Sequence, residues 1–191
     1  MKMTIRKIVF VAFVLGTLNS YATGTTLVEN GNNANVEFIT VKKGQNVSIK
    51  NSKGKVIQKK TVETENSVDK AFDFRTLENG YYTLEVNKDF QIEVIPFTVV
   101  SGNATFYKKE EKTIFKPVVR MEASSLLISK LEFDAIPLEV SIFYEGEEIF
   151  NETVQGGSLL QRAYKLEKQN KGYYKVVLKA NDRTYSNEFS F

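Results

Sequence analysis

The chain has no cysteine, no histidine and no tryptophan, and only three prolines. Without cysteine there is no disulfide framework, no thiolate nucleophile and no lipid anchor on a cysteine. Without histidine the commonest general base and the usual zinc ligand sets are gone, and with them Ser-His-Asp and Cys-His triads. No Gly-rich phosphate loop and no calcium-loop spacing is present. A carboxylate pair of the glycosidase kind is the remaining route to catalysis. The acidic candidates, Glu63/Glu65, Glu110/Glu111 and Glu147/Glu148, fall at turns or at outward strand positions beside lysines, the pattern of a solvated face. The expectation is therefore a protein that is not an enzyme and holds no cofactor and no metal.

What is present begins at the first residues. Lys2, Arg6 and Lys7 precede an apolar run from Ile8 to Leu18, followed by Ser20-Tyr21-Ala22. That is the layout of a secretory signal peptide, residues 1–22, cut after Ala22. Eleven apolar residues fall short of the roughly 20 that span a bilayer, so the mature chain is expected to have no transmembrane segment. Cleavage takes three basic residues from the 26, leaving 23 against 23 acidic ones. A neutral chain with interspersed signs has no electrostatic footprint for nucleic acid. The expected location is exported: periplasmic, outer-membrane-associated or extracellular.

The body of the chain repeats itself at an offset of 92 residues. Gly54 aligns with Gly146, Ile57 with Ile149, Thr61-Val62 with Thr153-Val154, Ala71 with Ala163, and Gly80-Tyr81-Tyr82 with Gly172-Tyr173-Tyr174. Gly54–Val86 and Gly146–Leu178 align without gaps and share 8 of 33 positions. A fixed offset over such a stretch marks a duplicated structural unit. The apolar period is 2 in both copies: Val47, Ile49, Phe72, Phe74, Tyr82, Leu84 and Val86, then Val140, Ile142, Tyr164, Leu166, Tyr174, Val176 and Leu178. Short alternating runs between Asn-, Asp- and Gly-rich turns read as half-buried antiparallel strands. The fold class that follows is all-β, two tandem antiparallel β-sandwich domains. They are placed at residues 23–100 and 113–191, with a charged linker at 101–112.

Two segments carry particular expectations. Leu159–Gln169 has helix-forming composition, but its counterpart Asn66–Leu77, with Val68, Phe72 and Phe74, looks extended. The duplication argues for a strand in both copies, ending at 169 in a loose loop. Phe106, Tyr107, Ile114 and Phe115 flank the linker charges. They are expected either to form a small hairpin or to bury against both domains and fix the angle between them.

Two stretches of the first copy carry a family resemblance. They are Val47-Ser48-Ile49-Lys50-Asn51-Ser52-Lys53-Gly54-Lys55-Val56-Ile57 and the run from Phe72 through Gly80-Tyr81-Tyr82 to Val86. With the matching Val140–Ile149 and Gly172–Leu178, they resemble the immunoglobulin-like sandwich modules of secreted Bacteroidota proteins. Among these the resemblance is to the C-terminal sorting modules of type IX secretion cargo. It implies immunoglobulin-like sandwiches and two functional alternatives. One is a binding or structural role at the cell envelope toward a protein or glycan partner. The other is a sorting or anchoring signal in the C-terminal copy. Alternation points Tyr81 and Tyr173 outward and turns Tyr82 and Tyr174 inward, where each hydroxyl suits a bond to the backbone of the preceding turn. Tyr81, Tyr173, Phe143, Tyr144 and Phe150 are the candidate surface-contact residues; cross-strand pairing and packing between the domains are the alternatives for these rings.

Overall fold

A computed structural model describes residues 6–7, 39–166 and 172–190. The backbone of β1 (Arg6–Lys7) pairs at one sheet edge described below. From Ile39 the chain runs through β2 (Thr40–Val41), β3 (Asn46–Asn51), β4 (Val56–Thr61) and β5 (Asn66–Ser67) to a single helical turn, α1 (Val68–Ala71), and a 3-10 turn (Phe74–Thr76). Next come β6 (Gly80–Asn87), β7 (Gln91–Val100), β8 (Asn103–Phe106), a second 3-10 turn (Lys108–Glu110) and β9 (Lys112–Phe115). The remaining strands are β10 (Val118–Glu122), β11 (Ser125–Leu131), β12 (Leu138–Tyr144), β13 (Glu147–Val154), β14 (Leu159–Lys165), β15 (Tyr173–Ala180) and β16 (Arg183–Ser190). Every strand pairing is antiparallel, so the all-β reading stands. Among the described residues no helix is long and apolar enough to cross a membrane.

The repeat is visible in the sheets. One sheet runs β4-β3-β6-β7 and another runs β13-β12-β15-β16, and each strand of the second begins within one or two residues of its 92-residue counterpart. Both start with the same hairpin, closed by a glycine with φ of +76° (Gly54) or +88° (Gly146), a backbone region that favours glycine. In the first hairpin the Asn51 side-chain carbonyl accepts from the backbone N–H of Lys53 and Lys55, closing the turn on itself. The inner faces then follow from alternation. Val47, Ile49, Leu84, Val86, Ile95, Phe97 and Val99 form one core; Val140, Ile142, Tyr174, Val176 and Leu178 belong to another.

The copies differ in what covers those inner faces. In the second, β14-β11-β10 forms a facing sheet, with β1 on the outer side of β14, and Leu126, Ile128, Leu160 and Tyr164 complete a β-sandwich core. In the first, the covering layer is the short β2-β5 ladder plus α1 and the 3-10 turn. The extended reading of Asn66–Leu77 is thus corrected. Val68 and Phe72 are spaced four apart, and one helical turn puts both into the core, with Phe72 N–H donating to Val68 O. Asp73 then caps the 3-10 turn by accepting from Arg75 N–H, and Phe74 drops onto Phe97. Its counterpart is a strand through Lys165, as expected; residues 167–169 lie outside the described set.

The stretch read as a linker, 101–112, carries paired structure. β8 pairs with residues 97–100 of β7, and β9 pairs with residues 91–94, so the two cover one edge of β7 in series. They do not pair with each other as a hairpin. Between them Tyr107 N–H donates to Pro96 O. Pro96 lies at the interruption, where its missing N–H removes no ladder bond. Phe106 joins the first core through Phe74 and Phe97, while Phe115 reaches across to Phe133 at a ring separation of 5.8 Å.

Candidate functional site

The five aromatic candidates separate into two groups. Tyr81 is 73% exposed and Tyr173 42% exposed, each at an outward position of the matching strand, β6 or β15. Phe143 is half-buried and opposite Lys175, on the outward side of β12. Tyr144 and Phe150 belong instead to the second core: Tyr144 packs on Tyr174 at 4.9 Å, and Phe150 on Tyr164 at 5.2 Å. Tyr144 has the parity of Leu138, Val140 and Ile142, so it shares their inward face. Phe150 pairs with Ile142, and a register shift beyond that pair brings Phe143 opposite Glu148, leaving Ile149 as the extra residue. That bulge lets both Ile149 and Phe150 touch the core. A continuous aromatic strip is therefore not assembled. Of the inward tyrosines, Tyr82 donates from its hydroxyl to Glu78 O at 2.9 Å, tying the strand to the turn before it.

The described residues hold no group of three or more acidic side chains placed to bind a metal ion. The charged groups that converge do so where the two copies meet. Glu85 occupies an outward position on β6, yet the residue is only 8% exposed. Its Oε1 accepts from Lys50 Nζ at 2.8 Å and from Arg183 at 2.5 Å, the latter the first residue of β16. Residues of both copies also line a cavity of about 190 Å3, among them Lys112, Phe115, Lys130, Glu132, Phe133 and Asn181. Nothing in the sequence pattern separates Glu85 from the solvated glutamates; only its position under Arg183 does.

Burial works against ionisation of Glu85, but the hydrogen bonds from Arg183 and Lys50 outweigh it and hold the pKa below the ordinary carboxylate value. A group depressed in the folded state contributes stability above its unfolded pKa, near 4.3, and loses it as pH falls through the folded value. Coupling between the copies should therefore persist at neutral pH and weaken below about pH 4. Glu85→Gln keeps the shape, removes the charge and should cost roughly 1.5–3 kcal/mol. The check is calorimetry of the whole chain at pH 7. Wild type should show coupled unfolding and the variant two separated transitions; indistinguishable traces would show that the contact does not couple the copies.

Residues 30–99 match the family described as the secretion system C-terminal sorting domain. The matched segment takes in β2 through nearly all of β7 and stops short of β8 and β9. The first copy is therefore similar to the sorting modules of type IX secretion, and such a module marks an exported protein. No curated protein matches the chain.

Proposed function

We propose that this protein is an exported, non-catalytic cargo of type IX secretion whose duplicated β-units serve as its sorting or anchoring module. The observation that carries the reading is the sorting-domain match over residues 30–99. The matched sheet, β4-β3-β6-β7, recurs as β13-β12-β15-β16, which supports treating both copies as variants of one module. The sequence supports the non-catalytic part, having neither histidine nor cysteine. To test this, the full chain fused to a reporter is followed in cells with and without a working type IX system. The fusion should reach the surface or medium only in the first. Equal export in both strains, or unchanged location after deletion of residues 30–191, would overturn the proposed sorting role.

A second reading, a binding module at the envelope, is favoured by the outward Tyr81. A ring 73% exposed on a rigid strand gives a protein or glycan something to stack on. Under that reading Tyr81→Ala lowers retention on envelope material while export is unchanged.

A further inference from the structure

The two copies treat the same sheet edge differently. In the first, the outer edge of β7 is covered along its length by β8 and β9. In the second, β16 occupies the place of β7, and among the described residues no strand lies beyond it. β16 is eight residues long and pairs with β15 throughout without a register shift. An edge that long and regular is a template for another strand unless it is protected.

The other edges are short or carry charges. β4 carries Lys59 and Lys60 in succession, β13 carries Glu147, Glu148 and Glu152, and β10 has only five residues. β16 has no lysine, no proline and no bulge. Its two charges are engaged within the chain: Arg183 with Glu85, and Glu188 near Lys175 at 3.9 Å. On its core-facing side Tyr185 and Phe189 are only partly buried against the second core, and the buried Tyr185 hydroxyl has no hydrogen-bond partner.

We infer that β16 pairs with β16 of a second copy of this chain, joining two β13-β12-β15-β16 sheets into one. The commitment to a second copy rests on self-complementarity. In an antiparallel pair, opposed residues share a face, so only registers matching odd with odd and even with even keep the core side continuous. A register centred on Asn187 places Tyr185 opposite Phe189 twice, Ser186 opposite Glu188 twice, and Thr184 opposite Ser190 twice. Aromatic cross-strand pairs are favourable, and no like charges face each other. Shifting the centre to Ser186 replaces the aromatic pairs with Arg183 opposite Phe189. The inference is independent of the sorting role.

The test uses the full chain in sedimentation equilibrium across a concentration series. A monomer–dimer equilibrium is expected. Ser186 is exposed, so its substitution leaves the monomer's packing intact, which a thermal melt verifies. Ser186→Glu sets two glutamates against Glu188 and should weaken the dimer about tenfold. Ser186→Lys sets a cation against the same residue and should keep or tighten it. Asn187→Cys is the only thiol in a chain without cysteine, and oxidation should give a covalent dimer. A monomer at every soluble concentration overturns the proposal. So does a dimer indifferent to both Ser186 variants and not cross-linked through Cys, or capture of a different protein's strand by a monomeric chain.

Discussion

Truncating Phe97 to alanine should destabilise the first unit by about 3–5 kcal/mol. The ring is fully buried on β7 and has three aromatic neighbours: Tyr82 stacked at 5.5 Å, Phe74 edge-on at 5.5 Å and Phe106 tilted at 4.8 Å. Each such pair contributes roughly 0.5–1.5 kcal/mol beyond the area it buries, so the loss is spread over three contacts. The three neighbours belong to separate elements, namely β6, the 3-10 turn and β8. None has room to collapse into the void without leaving its own hydrogen bonds. Small domains are stable by only about 5–15 kcal/mol, so the variant should unfold at markedly lower urea. With no tryptophan in the chain, tyrosine fluorescence and circular dichroism are the probes. Ile57→Ala on the exposed β4 is the control, expected within about 0.5 kcal/mol of wild type. Equal midpoints for the two variants would show that Phe97 is not the hub.

The strands were legible because burial on one face leaves a period of 2, and the duplication because Gly54 and Gly146 terminate the same hairpin. The covering layer of the first copy was not, because Val68, Phe72 and Phe74 satisfy an alternating pattern and a helical one at once. Only the capping by Asp73 and the fit against Phe97 choose between them. Phe150 was misplaced by one bulged residue, a local event that leaves no mark on composition. The buried charges were invisible for a different reason. Glu85, Lys130 and Glu132 look like any residues of a solvated strand until long-range packing removes the solvent. Alternation records which side of a strand a residue faces and carries nothing about what later covers that side.

Lys130 and Glu132 provide the sharpest test of that covering. Their side chains are 1% and 4% exposed and form an ion pair, and Glu132 also accepts from Asp134 N–H at 2.9 Å. Burial opposes the ionised carboxylate, but the bonds from Lys130 and Asp134 hold its pKa below the ordinary value. Removing one partner strands the other charge without solvent. Glu132→Ala and Lys130→Met should therefore each cost about 3–5 kcal/mol. Removing both with Lys130→Met/Glu132→Leu should cost far less, about 1 kcal/mol for the lost Asp134 bond, because two desolvation penalties disappear with the attraction. The pattern to look for is a double variant more stable than either single one. Single-variant costs that simply add would mean the pair is solvated. The sign with pH follows from the depressed carboxylate. The pair's contribution is complete above about pH 4.3 and is lost as pH falls through the folded value, while the double variant's stability stays flatter. The pair also holds the start of the segment whose Phe133 meets Phe115 and lines the cavity at the junction. The single variants should therefore loosen the coupling between the copies along with the second core, whereas Glu85→Gln loosens the coupling along with the Lys50 bond inside the first copy.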